Sequence, residues 1–72
     1  MEAEFKMLGR RIKLMRMERG VQQTVLANQI EMSQTNLSNI ESGRSAVTIQ
    51  GLLKIRKALG CKMSDFFVDF DN

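Results

Sequence analysis

The side chains with the clearest capacity for specific hydrogen bonding lie between residues 34 and 39. At about 100° per residue, one side of a helix there would carry only uncharged polar groups: Gln34, Thr35, Ser38 and Asn39. Amides of this kind can donate to and accept from an adenine edge, and a threonine can offer a methyl or a hydroxyl group to a base. The alternative is a polar helix face that contacts only solvent.

The sequence contains few of the side chains that enzymes use for catalysis. The 72 residues include no His and a single Cys, so the commonest general base and the commonest metal ligand are both missing. One cysteine can form neither an internal disulfide nor a thiolate cluster, and we expect Cys61 to be a small packing residue. We therefore expect no enzyme, metal or cofactor, no small-molecule ligand, and a reduced, cytoplasmic setting.

Length and charge indicate one domain, residues 1–72, with two different surfaces. Residues 1–62 hold eleven cations and five acids, a net charge of +6, whereas residues 63–72 hold three acids and no cations, a net charge of −3. A basic body with an acidic, phenylalanine-rich tail predicts two surfaces that face different partners. The alternative is that the charges only keep the protein soluble. No apolar run exceeds three residues, so we expect no membrane span and no signal peptide.

Apolar periodicity predicts five helices, so the fold class is all-α. The predicted helices cover residues 5–19, 23–30, 34–42, 49–59 and 63–68, with Ser33 and Thr48 as N-caps. Three glycines predict helix ends: Gly20, Gly43 and Gly60. The predicted core positions recur at helical spacing: Phe5, Leu8, Ile12 and Met15; Val21, Leu26, Ala27 and Ile30; Leu37 and Ile40; Ile49, Leu52, Leu53, Ile55 and Leu59; and Phe66.

The second and third predicted helices, residues 23–42 with their three-residue link, have the dimensions of a helix-turn-helix. Further elements appear in order around them: Leu8-Gly9, Arg19-Gly20-Val21, Leu26-Ala27, Leu37-Ser38-Asn39-Ile40-Glu41-Ser42-Gly43-Arg44, and Ala58-Leu59-Gly60. Together, residues 8–67 resemble the Cro/C1-type (Xre) family of prokaryotic DNA-binding domains, which includes phage repressors and restriction–modification controller proteins. The resemblance implies a compact five-helix, lambda-repressor-like domain.

The resemblance also implies roles for particular residues. It makes Gln34, Thr35, Ser38 and Asn39 the base-reading candidates in the major groove. It assigns contacts with the DNA phosphates to Gln23, Ser33, Asn36 and Arg44. It pairs Arg16 with Glu41 as a structural ion pair between the first and third helices. Three positions depart from the family pattern: Glu31 replaces a glycine, Val47 a proline, and Lys62 a helix-capping residue.

The implied function is a sequence-specific regulator that binds a palindromic operator in double-stranded DNA as a homodimer. A single recognition helix rarely supplies enough affinity, and a dimer reads two half-sites. We expect the apolar part of the tail, Phe67, Val68 and Phe70, to form the dimer interface, unless the tail folds back on its own domain. The alternative function is an antitoxin or adaptor module whose main partner is a protein.

Overall fold

The computed structural model describes residues 3–70, apart from the side chain of Asp69. Within that range the chain forms four α-helices and one 3₁₀ helix: α1 (Ala3–Glu18), α2 (Gln23–Gln29), α3 (Gln34–Glu41), α4 (Ile49–Leu59) and the 3₁₀ helix Met63–Phe70. The all-α prediction is therefore confirmed. Two of the acidic residues counted above, Glu2 and Asp71, lie outside the described residues.

Local sequence accounts for the limits of the helices. Ser33 and Thr48 have extended backbone conformations, and their hydroxyls accept hydrogen bonds from the backbone N–H groups of Asn36 and Gly51, each at 3.0 Å. Both therefore act as N-caps, as predicted. The predicted stop glycines have positive φ angles: Gly20, Gly43 and Gly60. The observed helix limits therefore agree with the predicted limits to within one or two residues.

All five helices contribute to a single hydrophobic core. Its residues come largely from the predicted stripes: Leu8, Ile12 and Met15 of α1; Leu26 and Ala27 of α2, followed by Ile30; Leu37 and Ile40 of α3; Leu52, Ile55 and Leu59 of α4; then Cys61 and Phe66. Phe66 is completely buried, as predicted. Phe5 and Val21 are only half-buried.

The prediction that Ile49 and Leu53 belong to the core is wrong. Ile49 is 68% exposed, and Leu53 is also exposed. On a helical projection the buried apolar side chains of α4, Leu52, Ile55 and Leu59, span about 60°, and Ile49 and Leu53 lie roughly 90° and 130° from their centre. The predicted stripe was therefore too wide, because one contact face of a short helix does not cover that arc.

The last element is a 3₁₀ helix with non-helical dihedral angles at Phe67, and it extends two residues beyond the predicted 63–68. Asp65 supplies the cap that Lys62 lacks. The Lys62 N–H donates to the Asp65 carboxylate at 2.9 Å, and the Asp65 N–H donates to the Lys62 carbonyl at 3.0 Å. The departure from the family pattern at Lys62 is thus compensated three residues later.

Two arginines, one in α1 and one directly after it, anchor the C-terminal half of the chain. The Nε of Arg11 donates to the Asp65 carbonyl, and the Nε of Arg19 donates to the Leu59 carbonyl, each at 2.8 Å. Arg11 is half-buried. The bond from Arg19 satisfies a carbonyl in the last turn of α4, where intrahelical partners are lacking.

The crossing of α1 and α3 fixes where α3 lies. At Gly9 the two helices approach so closely that a Cβ would overlap the Ile40 carbonyl oxygen and come within 3.0 Å of the Glu41 oxygen. Only a glycine fits there without displacing α3. The position of α3 therefore depends on a residue of α1 that sequence reasoning noted only as a motif element.

Candidate nucleic-acid interface

Helix α3 has one buried side and one open side. Its inner side carries Leu37, Ile40 and Glu41, which are all buried. On the outer side, Gln34 and Thr35 are exposed, and Ser38 and Asn39 are half-buried. These four outer residues and Gln23 of α2 line one shallow depression of about 230 Å³. The structure thus brings the four predicted base-reading side chains together on one open surface, which we call the α3 outer face.

The start of α3 carries two of the predicted phosphate-contacting residues. Ser33 caps the helix by accepting the Asn36 N–H, and both side chains remain exposed. Its hydroxyl proton is not consumed by this contact, so Ser33 retains a donor. Ser33 and Asn36 border a second depression that Lys54 of α4 also lines. Donors and a positive charge therefore flank the N-terminal end of the α3 outer face.

Arg44 lies at the other end of α3. Its backbone N–H donates to the Asn39 carbonyl at 2.9 Å, and its Nε donates to the Ser42 hydroxyl at 3.1 Å. The residue is exposed. Because Nε is the one guanidinium nitrogen in that contact, the two terminal NH₂ groups retain donors for an anion.

A buried ion pair supports α3 from behind. The Nε of Arg16 donates to Glu41 Oε2 at 2.7 Å, its Nη2 donates to Oε1 at 3.1 Å, and its Nη1 donates to the Val21 carbonyl at 2.7 Å. Arg16 is 8% exposed and Glu41 is 5% exposed. This is the pair expected from the resemblance. It joins α1, the segment before α2 and the end of α3.

A hydrogen-bonded chain leads from that ion pair to the α3 outer face. Gln23 Nε2 donates to Glu41 Oε1 at 3.0 Å, and Gln34 Nε2 donates to Gln23 Oε1 at 3.3 Å. Sequence reasoning missed this link, because it assigned Gln23 to phosphate alone. The available signal was weak: two glutamines that each open a helix of the helix-turn-helix, eleven positions apart.

The turn between α2 and α3 is closed by Glu31. It adopts φ 57°, a left-handed conformation that the glycine usual at this position would adopt without strain. Its N–H donates to the Asn28 carbonyl, and the following Met32 N–H donates to the Ala27 carbonyl. The turn therefore keeps the left-handed geometry despite the substitution.

The C-terminal residues predicted to form a dimer interface divide into two groups. Phe67 and Val68 are 40% and 51% exposed. Phe70 is half-buried and packs against the core, with its ring centroid 5.4 Å from that of Phe67 in an edge-on arrangement. Phe70 therefore packs partly on its own domain, whereas Phe67 and Val68 remain on the surface.

Cys61 is buried against the core. Burial raises the pKa of its thiol, so the reactive thiolate is less populated than in an exposed cysteine. Among residues 3–70, no cluster of three or more potential metal ligands occurs. Within the same range, none of the helices has the length and apolar character needed to cross a membrane.

Comparisons with known proteins agree with this geometry. The profile of the family described as "Helix-turn-helix" matches residues 12–66. The chain is 34% identical over 64 residues to the control protein C.MunI of Mycoplasma sp. The aligned region covers 88% of this chain and 86% of that protein.

Two solved structures have the same fold. The restriction–modification controller protein C.AhdI of Aeromonas hydrophila superposes with a TM-score of 0.87 at 24% identity, covering 92% of this chain and 100% of that one. The clp gene regulator ClgR of Corynebacterium glutamicum gives a TM-score of 0.90 at 28% identity, covering 94% and 72% of the two chains. The chain therefore belongs to the Cro/C1-type helix-turn-helix family of DNA-binding transcription regulators.

Proposed function

We propose that this protein is a controller-type transcription regulator that binds a palindromic operator as a homodimer, with α3 in the major groove of each half-site. The observation that carries the proposal is the α3 outer face. It is open, uncharged and rich in hydrogen-bonding groups, and it fits a groove about 12 Å wide. The 34% identity to a control protein supports the controller role.

Base reading is assigned to the α3 outer face: Gln34, Thr35, Ser38 and Asn39. Phosphate contacts are assigned to residues around it. Ser33, Asn36 and Arg44 lie at the two ends of α3 and retain donors, and Gln23 Nε2 keeps one N–H beyond its bond with Glu41. Phosphate contacts position the protein, and the base contacts supply specificity.

Dimerisation is assigned to the exposed part of the C-terminal 3₁₀ helix. Phe67 and Val68 are adjacent apolar side chains on the surface, and the ring of Phe70 contacts that of Phe67 edge-on. A symmetric contact between two copies would remove this apolar surface from water and place two α3 helices on one duplex.

The first experiment tests DNA binding and its sequence dependence. Selection from a randomised duplex library should enrich a sequence with two related half-sites. If about five phosphates per dimer are neutralised, log K should fall with log salt at a slope of about −4 to −5. Recovery of no sequence, or a slope near zero, would contradict the proposal and favour a module that binds protein.

The second experiment tests the dimer. The wild-type protein should sediment as a dimer, and Phe67→Asp or Val68→Asp should shift it toward monomer with the helical circular dichroism retained. Leu14→Asp is the matched control, because Leu14 is an exposed apolar residue of α1 outside the proposed interface. A monomeric wild type, or dimers unchanged in both tail variants, would assign these side chains to intramolecular packing.

A further inference from the structure

Lys6 of α1 packs against the turn that ends α3. A Cβ added at Gly43 would lie 2.5 Å from the Cγ of Lys6 and 2.8 Å from its Cα, so the two residues are in close contact. Gly43 is buried, whereas Lys6 is exposed. The stem of the lysine therefore lies against the residue that precedes Arg44, and its ammonium group remains in solvent.

The helical positions along α1 show on which side of the molecule Lys6 lies. Residues three apart step round a helix by about 60°. Ile12 is fully buried in the core, and Gly9, one step round, faces the backbone carbonyls at the end of α3. Lys6 is the next step in the same direction. It therefore lies past the crossing with α3 on the flank away from the core, and that is the flank on which the α3 outer face is open.

The turn against which Lys6 packs is joined to the α3 outer face. The carbonyl of Asn39 accepts the N–H groups of Arg44 and Ser45, at 2.9 Å and 3.2 Å. The turn thus folds back on an outer-face residue and holds Arg44 at that end of the helix. Two exposed cations, Lys6 from α1 and Arg44 from the turn, therefore border the C-terminal end of the α3 outer face.

Lys6 is not required to cap α3. A cation near the end of a helix can stabilise its last carbonyls, but those of Ser38, Asn39 and Ile40 already accept backbone N–H groups. Among the carboxylates that the structure describes, none pairs with Lys6, because the ion pair found there joins Arg16 to Glu41. The positive charge of Lys6 is thus available to an anion outside the chain.

We propose that Lys6 binds a phosphate of the DNA backbone, next to the phosphate assigned to Arg44, so that α1 is a third DNA-contacting element beside α2 and α3. The inference rests on the proposed function, because it requires α3 to lie in the major groove. A lysine ammonium binds a phosphate as a point charge and reads no base. The contact therefore adds affinity and salt dependence on every DNA sequence alike.

The test compares Lys6→Gln with the matched change Lys62→Gln. Each removes one positive charge from an exposed lysine. Lys62 lies on the other flank of α1: its N–H donates to the Asp65 carboxylate, and Arg11, about 140° round α1 from Lys6, donates to the Asp65 carbonyl. Lys6→Arg keeps the charge at the original place. Circular dichroism and thermal melting establish that each variant is folded.

Affinity is measured by titration at several salt concentrations, on the selected operator and on a random duplex of equal length. Lys6→Gln should weaken both duplexes by about two- to tenfold per half-site, the range of one net hydrogen bond. The slope of log K against log salt should become shallower by about one per site. Lys62→Gln and Lys6→Arg should keep the wild-type slope, and the double variant of Lys6→Gln with Arg44→Ala should lose about two per site.

The position of the contact is mapped on the operator. Each phosphate in turn is replaced by an uncharged methylphosphonate, and the loss of affinity is recorded for the wild type and the variants. Lys6→Gln should become insensitive to replacement at one phosphate per half-site. Arg44→Ala should become insensitive at a neighbouring phosphate. Two adjacent positions, one for each residue, are the expected pattern.

Three results would overturn the inference. In the first, Lys6→Gln lowers the melting temperature but leaves the salt slope unchanged, which makes Lys6 a structural residue. In the second, Lys62→Gln changes the slope as much as Lys6→Gln does, which leaves only an effect of net charge. In the third, the double variant has the same slope as Arg44→Ala alone. Failure of the wild type to bind DNA in a salt-dependent way would instead remove the proposed function itself.

Discussion

The two sides of α3 have opposite requirements. The inner side packs Leu37 and Ile40 into the core and pairs Glu41 with Arg16. The outer side leaves Gln34 and Thr35 in solvent. A change on the inner side removes contacts that hold the helix, whereas a change on the outer side removes groups that another molecule would bind. Stability and recognition are therefore separable within a helix of eight residues.

Removal of Glu41 should have the largest effect. Glu41→Ala leaves the Arg16 guanidinium buried with the Val21 carbonyl as its remaining partner, so the free energy of unfolding should fall by about 3–5 kcal/mol. Urea denaturation followed by circular dichroism measures the loss. The double variant Arg16→Met/Glu41→Leu should recover much of it, because it buries no unpaired charge. If Glu41→Ala kept wild-type stability but bound DNA less tightly, Glu41 would act in DNA recognition and not in holding α3 in place.

Gly9→Ala should come next, although Gly9 is not part of α3. The added Cβ overlaps the Ile40 carbonyl, so α1 and α3 must separate, at a cost of about 1–3 kcal/mol or more. Thermal melting measures the cost. Gly51→Ala is the matched control within a helix, because its Cβ would lie 3.3 Å from the nearest atoms. The change there should be below about 1 kcal/mol in either direction. Equal effects at both glycines would show that the crossing of α1 and α3 is not tight.

On the outer side, Thr35→Ala and Asn39→Ala should leave the free energy of unfolding within about 0.5 kcal/mol of the wild type. Each should lose about 1–3 kcal/mol of binding free energy per half-site on the selected operator and little on random DNA. Titrations on both duplexes, with melting temperatures, give the comparison. Arg44→Ala should weaken both duplexes and make the salt slope shallower by about one per site. Equal losses of Thr35→Ala and Asn39→Ala on the two duplexes would exclude direct base reading.

The smallest effect is expected in the turn, which belongs to neither side of α3. Glu31→Gly should raise the free energy of unfolding by about 0.5–1 kcal/mol, because relief of the left-handed strain is partly offset by the greater freedom of glycine in the unfolded chain. Glu31→Ala is the control, since it removes the side chain but keeps the Cβ. If alanine stabilises as much as glycine does, the strain lies in the side chain and not in the backbone.

Local signals predicted most of the architecture. Ser33 and Thr48 are N-caps in the structure, as predicted. In each case the hydroxyl accepts a hydrogen bond from a free backbone N–H group three residues later, so the contact joins residues that are close in sequence. The helical periodicity of α1 likewise predicted the buried residues Leu8, Ile12 and Met15. Such contacts depend on residues close in sequence, so the sequence alone carries them.

Contacts between distant residues were the ones that sequence reasoning missed or misjudged. Ile49 and Leu53 had the right spacing for a core stripe, but the width of the buried face depends on what packs against α4. The link between Gln23 and Glu41 joins residues eighteen positions apart and has no motif of its own. Phe70 was assigned to a partner surface with packing on its own domain as the alternative, and only the tertiary structure shows that it is half-buried against the core.

The sequence by itself determined the helices, their caps and the uncharged polar side of α3, because helical periodicity and capping act over three or four residues. Tertiary structure decided which polar groups already have partners and which remain free. That distinction arises only when α1, α2 and α3 meet: Glu41 then accepts from Arg16 and Gln23, and Gln23 in turn accepts from Gln34. The orientation of a polar side chain is fixed by the hydrogen-bond partner that it already has, and in this protein that partner lies in another helix.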